Sequence, residues 1–170
     1  MLQYSADKGW IGWLGNFEPY CKQTISSFIY EMMIDTNQDK LIEEFEMFED
    51  WMDKYEYLIS LGKELPLIEE SKKVEENIIK GCQSRVWLAA NEKEGKVHFT
   101  ADSDAIITKG IISLMIRVLT DSEAKEIANA DLYFIDKVGL KEHLSPTRSN
   151  GLVSMVKQMK LYGIAFQAKN

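Results

Sequence analysis

The chain has 170 residues, 45% of them hydrophobic, with a formal net charge of −7 and two cysteines. That length and apolar content suit one compact domain with a real core, and the acidic balance counts against a nucleic-acid partner, whose phosphates need concentrated basic surface. Two cysteines are too few for a disulfide framework, which fits a reducing, cytoplasmic setting, and no apolar run approaches the roughly 18 residues of a membrane span.

Residues 1–34 differ in character from the rest of the chain. They combine Trp10, Trp13, Phe17, Tyr20, Phe28 and Tyr30 with Gly9, Gly12 and Gly15, and no clean period runs through the glycine-rich half. No cationic stretch followed by an apolar one opens the chain as a secretory signal would. The segment can pack on the domain, join a partner or stay disordered. It can also lie upstream of the natural start, since Met32 or Met33 would serve as one. The working domain is therefore expected over 35–170.

From Asp35 to Ser60, Leu41, Phe45, Phe48, Met52, Tyr55 and Ile59 recur at three and four residues, which predicts one long amphipathic helix. Thr36 to Asp39 has the spacing of an N-terminal cap, and Gly62 is a natural stop. Pro66 interrupts the next segment, and Glu69 to Lys80 is too charged for a central element, so it reads as a linker or a brief solvated helix.

The period then changes to two. Val86, Leu88 and Ala90 share one face of a strand, Val97, Phe99 and Ala101 share one face of a second, and Asn91 to Gly95 is the hairpin loop between them. Antiparallel pairing brings Cys82 and the Asp102–Asp104 segment to the same end of that hairpin. Ser103 or Asp104 can cap a helix through Leu119, whose run from Ile111 is interrupted only by Ser113 and Arg117 and reads as core. Thr120 and Glu123 have capping-box spacing for a short helix, Leu132 to Ile135 is the candidate third strand, and Ser145-Pro146 opens a last helix carrying Leu152, Met155, Val156 and Met159, with Gly163 near its end. Helices packed on a three-stranded antiparallel sheet make an α+β domain.

Cys82, in Gly81-Cys82-Gln83-Ser84, is the most informative residue. A free cysteine is usually a small buried hydrophobe, but a glycine-marked junction between elements suits a thiol that reacts. Arg85 and Arg148 are candidates to stabilise its thiolate, although local spacing places neither. Metal binding has little support, because Cys21, Cys82, His98 and His143 lack the paired spacing of zinc sites. A cysteine hydrolase needs a histidine beside the thiol, and neither histidine is near Cys82 in sequence. Asp102 and Asp104 can form an acid pair or simply cap a helix. Arg148 falls in a first helical turn, where a cation opposes the helix dipole, so binding an anionic group is a better use of it.

Three separated motifs in this chain resemble those of the SufE-type sulfur acceptors: Gly81-Cys82-Gln83-Ser84-Arg85-Val86-Trp87-Leu88; Asp102-Ser103-Asp104-Ala105 followed by Lys109-Gly110; and His143-Leu144-Ser145-Pro146-Thr147-Arg148-Ser149 with Gly151-Leu152. The resemblance covers roughly Leu41 to Ala168. It implies a SufE/IscU-like fold, with a long N-terminal helix and a three-stranded sheet. It also implies that Cys82 receives sulfur from the persulfide of a SufS-type cysteine desulfurase, stimulates that enzyme, and passes the sulfur to an iron–sulfur assembly scaffold such as a SufBCD complex. Asp104 and Arg148 then serve partner engagement or the cysteine loop, with Gly81 and Gln83 flanking the thiol and His143 in a less defined supporting role. Pyridoxal phosphate is expected on the desulfurase, and no cofactor on this chain. The paralogous CsdE-type acceptors share the same cysteine logic. Cys21 has no counterpart in the motifs. Two other readings stand beside this one: an interaction module related to iron–sulfur scaffolds with a structural Cys82, and a small cysteine hydrolase.

Overall fold

A computed structural model describes residues 33–169. Most of the 1–34 extension, Cys21 included, lies outside the described residues. Ile34 is inside them and is buried in the core, 4% exposed.

The expected single helix over Asp35–Ser60 is two. Helix α1 covers 33–46 and α2 covers Trp51–Lys63, with a turn between them. The apolar spacing runs through the break, but Asp50 takes an extended conformation and its carboxylate accepts the Asp53 N–H at 3.0 Å. A side-chain cap of this kind starts a new helix whatever the flanking periodicity. The bend sets Phe45 and Phe48 against Tyr57, with ring centroids 5.4 and 5.1 Å away. It leaves Met52, expected on the apolar face, 67% exposed. Thr36 to Asp39 is not a cap, since helix already precedes it.

Helix α3, Ile106–Leu119, is the centre of the core, with Ile111, Ile112, Leu114, Met115, Val118 and Leu119 each at most 1% exposed. Helix α2 crosses it at two glycines. A Cβ on Gly110 would lie 2.2 Å from the Leu58 carbonyl oxygen, and one on Gly62 would lie 2.9 Å from the Gly110 nitrogen. Gly62 thus permits backbone contact, and α2 continues through it to Lys63. The guanidinium of Arg117 on α3 donates to both carboxylate oxygens of Glu44 on α1, at 2.9 and 2.8 Å, and the Tyr57 hydroxyl on α2 donates to the same carboxylate at 2.5 Å. Such two-pronged pairing fixes direction as well as distance. The Arg117 hydrogen bonds keep the Glu44 carboxyl below its ordinary range, against the opposing effect of burial.

The sheet has order β1–β2–β3 and is antiparallel throughout. Strands β1, Val86–Lys93, and β2, Lys96–Ser103, are longer than the alternation suggests. Their connection is a two-residue turn at Glu94 and Gly95, with φ of 54° and 77°. Two left-handed residues in succession form the tight hairpin turn that matches strand twist. The third strand is Ser122–Glu123, paired with Lys96 and Val97. Leu132 to Ile135 is not a strand. Adjacent Phe134 and Ile135 are both buried, which a strand with one solvated face does not allow, and they open a helical turn, α5, Phe134–Lys137.

Helix α4, Ala124–Asn129, is closed by Glu123 and Glu126, with the Glu126 carboxylate accepting the Glu123 N–H at 3.2 Å. The capping box is therefore one turn beyond the expected Thr120–Glu123 pair. After α6, Leu140–His143, helix α7 runs from Pro146 to Gln167. It buries Leu152, Met155 and Met159 against the core. Gly163 does not end α7. It lets α4 close in, since a Cβ there would lie 2.7 Å from the Ala124 oxygen.

Gly110→Ala tests the α2–α3 contact. Its methyl meets backbone, which cannot swing aside, so a loss of about 3 kcal/mol is expected in denaturant unfolding. A stability equal to that of the parent would show that the crossing relaxes freely.

Candidate functional site

The loop that carries Cys82 is closed at its base. Ile79 N–H donates to Val86 O at 2.8 Å, and Ile78 bridges Trp87. Gly81 turns the chain with φ +94°, and a Cβ there would lie 2.8 Å from Ser154 Oγ on α7. Left-handed backbone and a tight neighbour both require glycine. On the far side of the loop, Asp104 accepts the Arg85 backbone N–H at 3.0 Å and its Nε at 3.3 Å, while Asp104 N–H donates to Arg85 O at 3.3 Å. Asp104 therefore locks the open end of the hairpin and does not cap α3. The residue before α3 is Ala105, which has no side-chain cap, and Ser103 Oγ accepts its N–H at 3.3 Å.

Cys82, the one cysteine among the described residues, is half-buried against α7, its Sγ 3.7 Å from the Gly151 carbonyl oxygen. Position 151 has no side chain to displace it, for a Cβ there would lie 3.3 Å from Sγ. The thiol opens on a cavity of about 70 Å³ whose lining includes Gln83, Ser84, Thr108, Arg148 and Met155. Burial pushes the Cys82 thiol above its ordinary pKa, so it rests protonated at neutral pH.

The remaining expected residues divide by position. Arg85 is committed to Asp104 and lies over the Trp87 ring, 5.7 Å from its centroid. Arg148 does reach the cavity, and its Nη1 donates to the Tyr55 hydroxyl at 2.8 Å. His143 does not line the cavity. It stacks on Trp51 with centroids 4.0 Å apart, and its Nδ1–H faces the Gly139 oxygen at 2.9 Å. His98 is engaged with Asp121, Nδ1 to Oδ1 2.7 Å, on the side of the sheet where β2 meets β3. Neither histidine lines the Cys82 cavity, so among the described residues there is no Cys–His pair of the kind a cysteine hydrolase uses. Among the described residues no cluster of His, Cys, Asp and Glu is disposed to hold a metal ion, and no helix is long and apolar enough to cross a membrane.

Asp102 and Asp104 are not an acid pair. Asp102 is buried and faces Lys73 at 2.7 Å and Lys109 at 2.5 Å, and it accepts the Ser103 N–H at 2.8 Å. Burial alone would raise its carboxyl pKa, but the Lys109 and Lys73 hydrogen bonds and the Ser103 N–H outweigh it and hold the value at about 2. Apolar periodicity places Tyr55 on a helix face and nothing more. Its hydroxyl gives it a second role that periodicity does not reveal.

The SufE family, described as an Fe-S metabolism associated domain, matches residues 39–162. The chain belongs to the SufE family. The SufE match extends from α1 to α7 and so contains both walls of the Cys82 cavity. An uncharacterised SufE-like protein of Rhizobium etli is 40% identical over 135 residues, covering 76% of this chain and 91% of the relative. A second, from Rhizobium meliloti, is 37% identical over 130 residues, covering 74% of this chain and 93% of the relative. The solution structure of a hypothetical protein from Thermus thermophilus superposes with a TM-score of 0.64 at 18% identity, over 76% of this chain and 94% of the other. That likeness shows a shared α+β fold. As a SufE-family domain, the chain is associated with iron–sulfur metabolism.

Asp102 makes acid stability measurable. Its folded pKa of about 2 lies below the ordinary 3.8, so its contribution is present above pH ~4 and is lost as pH falls toward 2. Asp102→Asn is expected to cost roughly 2 kcal/mol at neutral pH and to flatten the stability profile between those limits. An unchanged acid limb in chemical denaturation would remove the carboxylate from that role.

Proposed function

We propose that this protein is a sulfur acceptor that takes persulfide sulfur from a SufS-type cysteine desulfurase onto Cys82, and that it thereby stimulates the enzyme. The observation that carries the reading is the seat of Cys82, held at the tip of a loop closed at its base and facing a cavity shared with Arg148. The protein acts as an accessory carrier and not as an enzyme in its own right. Its expected setting is the cytoplasm, and its expected recipient is an iron–sulfur scaffold of the SufBCD type.

The chemistry is a thiol exchange. Cys82 gives up its proton, and the thiolate attacks the outer sulfur of the partner's persulfide. The S–S bond of that persulfide breaks, the partner's cysteine leaves as a thiolate and takes up a proton, and Cys82 becomes a persulfide. One sulfane sulfur has moved and no external oxidant or reductant is needed. Leaving-group and attacking-thiol pKa values both govern such exchange. A thiol whose pKa is raised by burial reacts slowly until its surroundings change. In this reading, docking supplies that change and Arg148 meets an anionic group on the partner or the sulfur itself. Asp104 contributes by holding the loop's end, Gly81 by letting the loop turn, Gln83 by lining the cavity, and His143 by its stack on Trp51 near the start of α7. Pyridoxal phosphate belongs to the desulfurase.

Incubation with a desulfurase, its pyridoxal phosphate and cysteine is expected to add the mass of one sulfur atom to Cys82, and Cys82→Ser is expected to abolish the gain while leaving thermal unfolding in place. Uptake by Cys82→Ser equal to that of the parent would refute the assignment. Binding without uptake in either form would favour an interaction module with a structural cysteine. Running SufS-type and CsdE-linked desulfurases in parallel separates the two branches. Arg148→Ala is expected to lower partner-coupled uptake on the order of tenfold with little change in unfolding temperature, as removal of an interfacial charge does. Equal uptake at matched concentration would exclude Arg148 from transfer.

A further inference from the structure

The three arginines of the chain are held in different ways. Arg85 faces Asp104 and Arg117 faces Glu44, each paired with a carboxylate. Arg148 makes no ion pair among the described residues, and its hydrogen-bond partner is the neutral hydroxyl of Tyr55 at 2.8 Å. The difference matters chemically. A carboxylate both orients a guanidinium and neutralises it. A phenol accepts one N–H and fixes direction while leaving the full charge and the remaining donors free.

Tyr55 is well built for the task. It is half-buried on α2 and packs against the core, so its ring has little freedom. Helix α2 is set by the backbone contact of Gly62 and Gly110. One turn before Tyr55, Trp51 stacks on His143, two residues ahead of Ser145 and the start of α7. The same face of α2 thus braces the corner from which Arg148 emerges and grips Arg148 itself. Residues four apart on a helix lie on one face, which makes the two contacts a single support.

We infer that Tyr55 is a positioning residue that aims the uncompensated Arg148 guanidinium across the mouth of the Cys82 cavity. The inference deepens the sulfur-acceptor reading and rests on it. Tyr55 itself touches neither sulfur nor partner in this scheme and acts through Arg148.

The test compares the parent, Tyr55→Phe, Arg148→Ala and the double variant. Each is titrated against a fixed amount of persulfide-loaded cysteine desulfurase, and sulfur on Cys82 is followed by intact mass. Tyr55→Phe keeps the ring and its packing and removes the one hydroxyl. It is expected to weaken half-saturation roughly fivefold with little effect on the maximal rate or on the unfolding temperature. Once Arg148 is Ala, adding Tyr55→Phe is expected to change nothing further, because the hydroxyl has lost the group through which it acts. Full independent effects of the two substitutions would overturn the inference, as would a Tyr55→Phe protein that behaves like the parent while Arg148→Ala is impaired. In both cases the acceptor reading would stand. Failure of the parent to take up sulfur would instead overturn the acceptor reading, and this inference with it.

Discussion

Cys82 can rest where it does because α7 has no side chain at position 151. Its sulfur lies against a bare stretch of helix backbone, within reach of the Gly151 carbonyl. A Cβ there would stand 3.3 Å from the thiol, closer than ordinary contact, so the sulfur would have to give way slightly. Gly81 adds the complementary requirement from the loop side, since its backbone turns through a left-handed conformation directly against Ser154. One glycine on each surface brings the thiol under partial cover, and the raised Cys82 pKa follows from that cover. The resting thiol therefore keeps its proton at neutral pH.

The carboxylates around the hairpin's open end work in separate places. Asp104 joins the two ends of the hairpin through Arg85, while Asp102 gathers Lys73 from the charged segment upstream and Lys109 from α3. Buried acidic groups are tolerable when they are fully paired and hydrogen-bonded, and Asp102 meets that condition on all sides. Between them the two residues tie the open end of the hairpin to the upstream segment and to α3.

Much of this arrangement is legible in the chain itself. Period-two alternation marks the hairpin because one face of each strand is buried, and from the hairpin follows the meeting of Arg85, at the end of the Cys82 loop, with Asp104. The central helix is readable because its second half, Ile111 to Leu119, is apolar except at Ser113 and Arg117. The failures have local causes. Asp50 restarts a helix inside an unbroken apolar pattern, since one capping hydrogen bond outweighs periodicity. The two-residue third strand is too short to carry a pattern, whereas the apolar run at Leu132 looks like a strand and packs as a helical turn. At the site, the thiol and Arg148 could be named from sequence motifs, but the seat of one on Gly151 and the grip of Tyr55 on the other depend on residues far apart in the chain.

The crossing of α2 and α3 has a consequence for how variation can accumulate in this fold. Two backbones in direct contact leave no side-chain layer to absorb drift, so α2 cannot slide or roll to accommodate substitutions elsewhere in the core. The helix that reaches Arg148 is thereby indexed to the helix at the centre of the molecule. The spatial address of the inner face of α2, Tyr55 included, is thus set by a contact between two main chains.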